Sequence, residues 1–313
     1  MKEKLIVIVG PTAVGKTALG VKLAKAYKGE VISGDSMQVY KGMDIGTAKV
    51  TTAEQDGVPH YLIDIKTPKD PFSVAEFQER CIPLITEINQ KGKIPLLVGG
   101  TGLYVNAITK KYGFESMPTD EKYRQELEHH VKEVGTTELH KMLKKVDEKA
   151  AEFIHPNNVR RVIRALEVTK ATGIPFSEQQ TEENTESPYE VVMIGLTMER
   201  SKLYERINHR VDMMMEQGLL EEAKCLYDSG IRNCQSVQAI GYKELFDYFD
   251  GHSSLKEAVE TLKKNSRRYA KRQLTWFRNK TETTWFDASD GLDKQTFNEI
   301  RLFIEGKLPF ISK

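Results

Sequence analysis

Residues Leu5-Ile6-Val7-Ile8-Val9 run straight into Gly10-Pro11-Thr12-Ala13-Val14-Gly15-Lys16-Thr17. Five consecutive apolar residues bounded by a glycine turn read as a strand buried on both faces. The octet that follows fits GxxxxGK[ST], the phosphate-binding loop, in the setting that pattern requires: strand, glycine turn, helix. Such a turn aims backbone N–H groups and a helix N-terminus at one point, which makes an anion site. Lys16 adds a point charge for phosphate oxygens, and the Thr17 hydroxyl can hold Mg²⁺. A phosphate or diphosphate group is therefore expected near the start of the chain.

Outward from that loop, Thr17–Tyr27 reads as a helix with Leu19, Leu23 and Tyr27 at helical spacing. Short strands are expected at Val31–Ser33, Tyr61–Ile65, Ile94–Val98 and Val191–Leu196, with a last edge strand at Thr284–Phe286. Buried strands alternating with helices give an α/β fold, a P-loop NTPase-like parallel sheet. Residues 118–188 break the pattern. Apolar positions there (Tyr123, Leu127, Val131; Leu139, Met142, Leu143, Val146; Val159, Val162, Ile163, Leu166) follow helical spacing with no strand between them. The expected organisation is a core of residues 1–117 and 189–313 carrying a small all-helical insertion, 118–188, which a polar segment at Thr181–Ser187 leads out of. The alternative is that these helices pack on the sheet.

Composition narrows the partners. With 46 Lys+Arg against 45 Asp+Glu in 313 residues, a nucleic acid would have to meet a local basic patch. Three cysteines without CxxC spacing favour a reducing compartment, and no apolar run is long enough to span a membrane. A cytoplasmic monomer is expected. The seven histidines offer no metal-binding spacing.

Three further stretches carry chemistry. Asp35-Ser36-Met37-Gln38 follows the second strand, which should bring it close to the phosphate loop. A carboxylate there can accept a proton or bind Mg²⁺ through water, and the Gln38 amide suits the edge of an adenine. Gly99-Gly100-Thr101-Gly102 closes the Ile94–Val98 strand; its glycines would let a substrate approach the backbone, with the Thr101 hydroxyl beside it. ATPases usually end such a strand in a Mg²⁺-binding Asp. Glycines at that point suggest a diphosphate that leaves rather than an ATP that donates. Finally, residues 263–280 hold eight basic residues and no acidic one. Lys264, Arg267, Arg268, Lys271 and Arg278 form one helical stripe with Tyr269, Trp276 and Phe277 nearby, a pattern that fits an RNA backbone or a solvated helix face. Arg160, Arg161 and Arg164 form a second basic cluster.

GPTAVGKT (10–17), DSMQVYKGMDIGTAK (35–49), GVPHYLID (57–64), GGTGLY (99–104), RALEV (164–168), IGYKE (240–244) and RRYAKRQLTWFR (267–278) together resemble the tRNA dimethylallyltransferase family, in order and across nearly the whole chain. The resemblance implies transfer of a dimethylallyl group from dimethylallyl diphosphate to the exocyclic amine of an adenine. That adenine lies 3′ of the anticodon, in the anticodon stem-loop of tRNAs reading codons that start with U. It also implies roles. Asp35 would be the general base, and Thr101 would assist at the reacting centre. Gly10 to Thr17 would take the diphosphate and Mg²⁺, with Arg124 reaching the same group. Asp35 to Gln38 and Thr101 would receive the adenine. Asn158, Val159, Arg160, Arg161 and Val162, with Arg267, Arg268, Lys271 and Arg272, would contact tRNA. Two positions depart from the family pattern: Asn158 where Asp is common, and Tyr61 where a second His is common. Asn158 can still cap the helix after it. A small-molecule kinase and a non-catalytic RNA-binding P-loop protein remain the alternatives.

Overall fold

The computed structural model describes residues 2–110, 120–179, 186–232 and 234–308, and the chain divides into two compact units. One comprises Met1–Lys111 and Glu186–Lys313, the other Tyr112–Thr185. The expected boundary at 117–118 and residues 181–185 of the polar segment lie outside the described residues.

The first unit is built on a six-stranded sheet. Its strands are β1 (Lys4–Val9), β2 (Glu30–Ser33), β3 (His60–Tyr61), β4 (Pro95–Val98), β5 (Glu190–Thr197) and β6 (Thr284–Asp287). They lie in the order β3-β2-β4-β1-β5-β6, every neighbouring pair parallel. Both faces are covered. Leu5, Val7 and Val9 of β1 enter one apolar cluster, and Ile6 and Ile8 enter the other. That alternation explains why the central strand has no polar position after Lys4: a pleated strand sends successive side chains to opposite faces, and from Leu5 to Val9 neither face meets water. The third expected strand is shorter than its apolar run, because Leu62 (φ 61°) and Asp64 (φ 54°) leave the extended region and stop the pairing after Tyr61.

The helices of this unit are α1 (Lys16–Ala26), α2 (Thr52–Gln55), α3 (Val74–Gln90) and α4 (Gly102–Thr109) before the insertion. The insertion holds α5 (Glu121–Val146), α6 (Glu148–Phe153), α7 (Val159–Thr172) and α8 (Phe176–Gln179). After it come α9 (Arg200–Glu216), α10 (Leu219–Asp228), α11 (Tyr242–Phe249), α12 (Leu255–Lys280) and α13 (Lys294–Lys307). No helix among the described residues is long and apolar enough to cross a membrane.

The second unit closes around its own core of Leu127, Leu139, Leu143, Ile154, Val162, Ile163 and Leu166. Burying each leucine contributes about 1.5–3 kcal/mol. Gly135 (φ 83°) breaks α5 into two segments, which separates the first two expected helices. Val146 falls off the apolar face and is 49% exposed. Glu167 is sealed in this unit. One carboxylate oxygen accepts from Arg124 Nη2 and Arg164 Nη1, both at 2.8 Å, and the other from the Asp120 N–H at 3.0 Å. Burial alone would raise its pKa; the two guanidiniums outweigh it and hold the carboxyl below its usual range.

Strands β2, β4 and β1 are neighbours in a parallel sheet. The loops that follow them therefore emerge side by side at one edge, where ligands of doubly wound sheets sit. These loops carry Asp35, Thr101 and the phosphate loop.

Candidate active site

The phosphate loop takes a shape its glycine requires. Gly10 has φ 145°, and a Cβ there would stand 2.6 Å from the Leu196 carbonyl oxygen of β5. Gly15 occupies the N-cap of α1 without a side-chain cap, so the first N–H groups of that helix are left for an anion. Lys16 Nζ donates to the Pro11 carbonyl at 2.7 Å. Burial pulls its pKa down to about 8, against the pull of the Asp35 charge. Thr17 is exposed on the first turn of α1.

Asp35 closes a turn on itself: Oδ1 accepts from the N–H groups of Met37 (2.8 Å) and Gln38 (3.3 Å). Its pKa is raised, because burial outweighs these two donors and the Lys16 charge. Thr101 reaches this turn, its Oγ1 accepting from the Ser36 N–H at 3.2 Å. The two expected reacting groups are thus brought together. Gln38 is placed differently from its expected use on an adenine edge. Its Nε2 donates to the Thr47 and Ala48 carbonyls (3.3 and 3.2 Å), and its Oε1 accepts from Ser33 Oγ (3.1 Å). The amide is committed to bracing the loop at 44–48. Glu222 holds the same loop from the other side, accepting the N–H groups of Asp44 and Ile45 at 2.8 Å and of Gly46 at 3.0 Å, with Tyr242 OH at 2.6 Å.

These pieces enclose a cavity of about 300 Å³. Thr12 and Ala13 of the phosphate loop, Asp35 and Ser36 line one part of it; Ile207, Val211, Met214, Leu219 and Leu262 give it an apolar wall. Arg210, Tyr269 and Arg272 also face it. Arg210 makes no ion pair among the described residues, keeps contact with solvent, and is held below its ordinary pKa by the cleft and by Arg206. Tyr269 is pushed up to about 12 by burial and by the Asp35 charge. Neither residue was assigned to the site from the sequence. The available signal was an arginine one turn from Arg206 on α9, beside the apolar stripe of Ile207, Val211 and Met214, and a tyrosine inside the basic stripe.

The remaining candidates divide. Lys264, Arg268, Lys271 and Arg272 are exposed on α12, and none pairs with a carboxylate among the described residues. Arg267 instead donates to Asn208 Oδ1, and Lys263 pairs with Asp212 at 2.7 Å. In the insertion, Arg160 and Arg161 are exposed, but Val162 is wholly buried in the core and cannot meet RNA. Asn158 stands at the N-cap of α7 without forming a side-chain cap. Arg124 and Arg164 are committed to Glu167. The glycines after β4 are filled by protein, not left for substrate. A Cβ at Gly99 would strike the Gly34 backbone, one at Gly100 would strike Gln273, and one at Gly102 would strike Trp276.

Fold and site define a phosphate-loop α/β protein whose anion cradle opens onto an apolar-walled cavity with a carboxylate at its edge. The model of the IPP transferase family matches residues 38–280. The tRNA dimethylallyltransferase of Halalkalibacterium halodurans is 63% identical over the full length of both chains. That of Geobacillus kaustophilus is 59% identical over 98% of each. Among solved structures, the full-length tRNA isopentenylpyrophosphate transferase from Bacillus halodurans aligns with TM-score 0.76 at 62% identity, covering 99% of this chain and 98% of that one. A eukaryotic dimethylallyltransferase acting on tRNA aligns with TM-score 0.83 at 32% identity, covering 99% and 80%. The chain belongs to the IPP transferase family.

Proposed function

We propose that this protein transfers a dimethylallyl group from dimethylallyl diphosphate to the exocyclic amine of the adenine 3′ of the anticodon in tRNA, releasing diphosphate. The observation that carries the reading is the shared cavity. Phosphate-loop residues, Asp35 and an apolar wall line one space. An apolar group esterified to diphosphate matches that combination. A kinase acceptor gives no reason for the apolar wall.

In the reaction, the C–O bond of the donor breaks and its electron pair leaves with the diphosphate. The amine nitrogen forms the new C–N bond, and its proton passes to Asp35. An adenine amine is a weak nucleophile, so losing the proton as the bond forms matters. The developing charge on the diphosphate falls where the N–H groups of the loop, Lys16 and Arg210 can meet it. Thr101 steadies the Asp35 turn through Ser36. Mg²⁺ suits this site: it keeps several waters and binds largely through substrate phosphates, so the exposed Thr17 hydroxyl with the donor's own oxygens would hold it. When bound it would neutralise diphosphate charge. The tRNA is held by Arg268, Lys271 and Arg272 of α12 and by Arg160 and Arg161 of the insertion. The adenine leaves a single-stranded loop, where extrusion is easier than from a duplex. The protein works as a monomer in the cytoplasm, the compartment of its RNA.

Incubating tRNA with either dimethylallyl diphosphate or ATP, then weighing the nucleosides by mass spectrometry, tests the reading. A dimethylallyl mass increase on adenosine with the first donor alone is expected; ATP consumption without any modified base would overturn it. Asp35→Ala should lower single-turnover transfer by roughly 10²–10⁴.

A further inference from the structure

Gln273 is buried on α12 with 6% exposure, and it bridges two catalytic loops. Its Oε1 accepts the Thr12 N–H at 2.8 Å, and its Nε2 donates to the Gly100 carbonyl at 3.0 Å. The first bond has a consequence for Lys16. The Thr12 N–H and the Pro11 C=O belong to one peptide unit. No described peptide bond is cis, so these two groups point in opposite directions from the same plane. Holding the N–H toward α12 turns the carbonyl the other way, and that carbonyl accepts Lys16 Nζ at 2.7 Å. The second bond acts alike: the Gly100 C=O shares its peptide with the Thr101 N–H, and Thr101 braces the Asp35 turn. One side-chain amide therefore sets two peptide planes, one leading to the phosphate lysine and one to the reacting-centre threonine.

Its surroundings leave this amide little freedom. A Cβ at Gly100 would collide with Gln273 Nε2, and one at Gly102 with the Trp276 ring one turn further along α12. Tyr269, one turn earlier, faces the cavity. A Gln amide also matches the demand, since one end must accept and the other donate.

We propose that Gln273 is a positioning residue for the transfer reaction, fixing the Pro11–Thr12 and Gly100–Thr101 peptides so that Lys16 and Thr101 stand ready for the donor. The inference rests on the diphosphate-donor reading above. It touches no substrate; it acts through the two loops.

The test uses the full chain with Gln273→Met, which keeps length and helix propensity while removing both hydrogen bonds. Three quantities are read: the Kd of inorganic diphosphate with Mg²⁺, kcat and donor KM in prenyl transfer, and the Kd of tRNA. Losing one net hydrogen bond is worth up to about tenfold in an equilibrium. Diphosphate should therefore bind up to about tenfold more weakly and kcat should fall by a similar factor, with tRNA affinity within twofold of wild type. Gly100→Ala, which pushes Nε2 off its acceptor, should show the same split, and the two changes together should be less than additive. This second variant carries the test if Gln273→Met does not fold. A folded Gln273→Met or Gly100→Ala protein with wild-type diphosphate affinity and kcat overturns the proposal. So does an equal loss of tRNA affinity, which marks a role in seating α12 alone. Wild-type protein that binds diphosphate but leaves tRNA unprenylated would sink the transfer reading and leave the diphosphate arm of this test standing.

Discussion

In the proposed reaction two ionisable residues, Asp35 and Lys16, would set the working pH range, and they act in opposite senses. Asp35 must be ionised to accept a proton, and burial raises its pKa, so activity falls with acidification at a pH above the ordinary carboxylate range. Lys16 must be charged to meet phosphate, and burial has lowered its pKa to about 8, so activity falls again as pH rises through that value. A bell-shaped kcat/KM profile is expected, its alkaline limb near 8. With diphosphate bound, the neighbouring negative charge favours protonated Lys16, so the same limb in kcat should lie higher. Lys16→Arg, whose charge persists across the range, should erase the alkaline limb even if it lowers the maximum. A flat profile between pH 7 and 9 would contradict this assignment. The placement of Asp35 and Lys16 was readable from the sequence because Asp35 follows the end of β2 and Lys16 opens α1 after a recognisable glycine turn. Gln38 was not, since an amide's partners depend on where the Thr47 and Ala48 carbonyls come to lie, and only the folded loop decides that.

Helix α12 joins the expected RNA face to the catalytic loops. Its buried Gln273 reaches Thr12 and Gly100, and its Asn265 donates to Glu244 (2.7 Å), which in turn accepts the Gly241 N–H (2.7 Å) at the cavity wall. Its cations divide into exposed, free ones and half-buried, spent ones, and that division gives a prediction. Lys271→Ala and Arg268→Ala should each weaken tRNA binding to a similar degree for all sequences. Each should also reduce the slope of log K against log salt by about one. Lys263→Ala should leave the slope nearly unchanged, because Asp212 already neutralises that lysine. Filter binding across a salt series checks both; equal slopes for all three variants would remove α12 from the RNA face. The stripe itself was legible, because residue type at helical spacing is a property of the chain. Which cations were spent was not. Asn208 and Asp212 lie on α9, more than fifty residues away in sequence, and no local pattern announces that pairing. The glycines after β4 were misread for the same reason: the atoms that demand them arrive from elsewhere in the chain, the Gly34 backbone at Gly99, Gln273 at Gly100 and Trp276 at Gly102.

At the scale of the molecule, the chain divides into two units with separate apolar cores, so unfolding should proceed in two calorimetric transitions rather than one. The transition of the helical unit can be identified through Glu167. Its pKa is depressed in the folded state, so its contribution to stability is complete above the unfolded value of about 4.3 and is lost as pH falls through the lower folded value. Below about pH 4 the helical-unit transition should therefore move to lower temperature. At neutral pH, Glu167→Ala leaves Arg124 and Arg164 facing each other without their shared carboxylate. Breaking a buried pair from one side costs about 3–5 kcal/mol. Both arginines are only about a third exposed but can turn toward water, so the low end, about 3 kcal/mol, is expected. The sheet unit contains none of these residues, and its transition should stay in place. A single transition that shifts as a whole in Glu167→Ala would mean that the two units unfold as one cooperative block, whatever the separation of their cores.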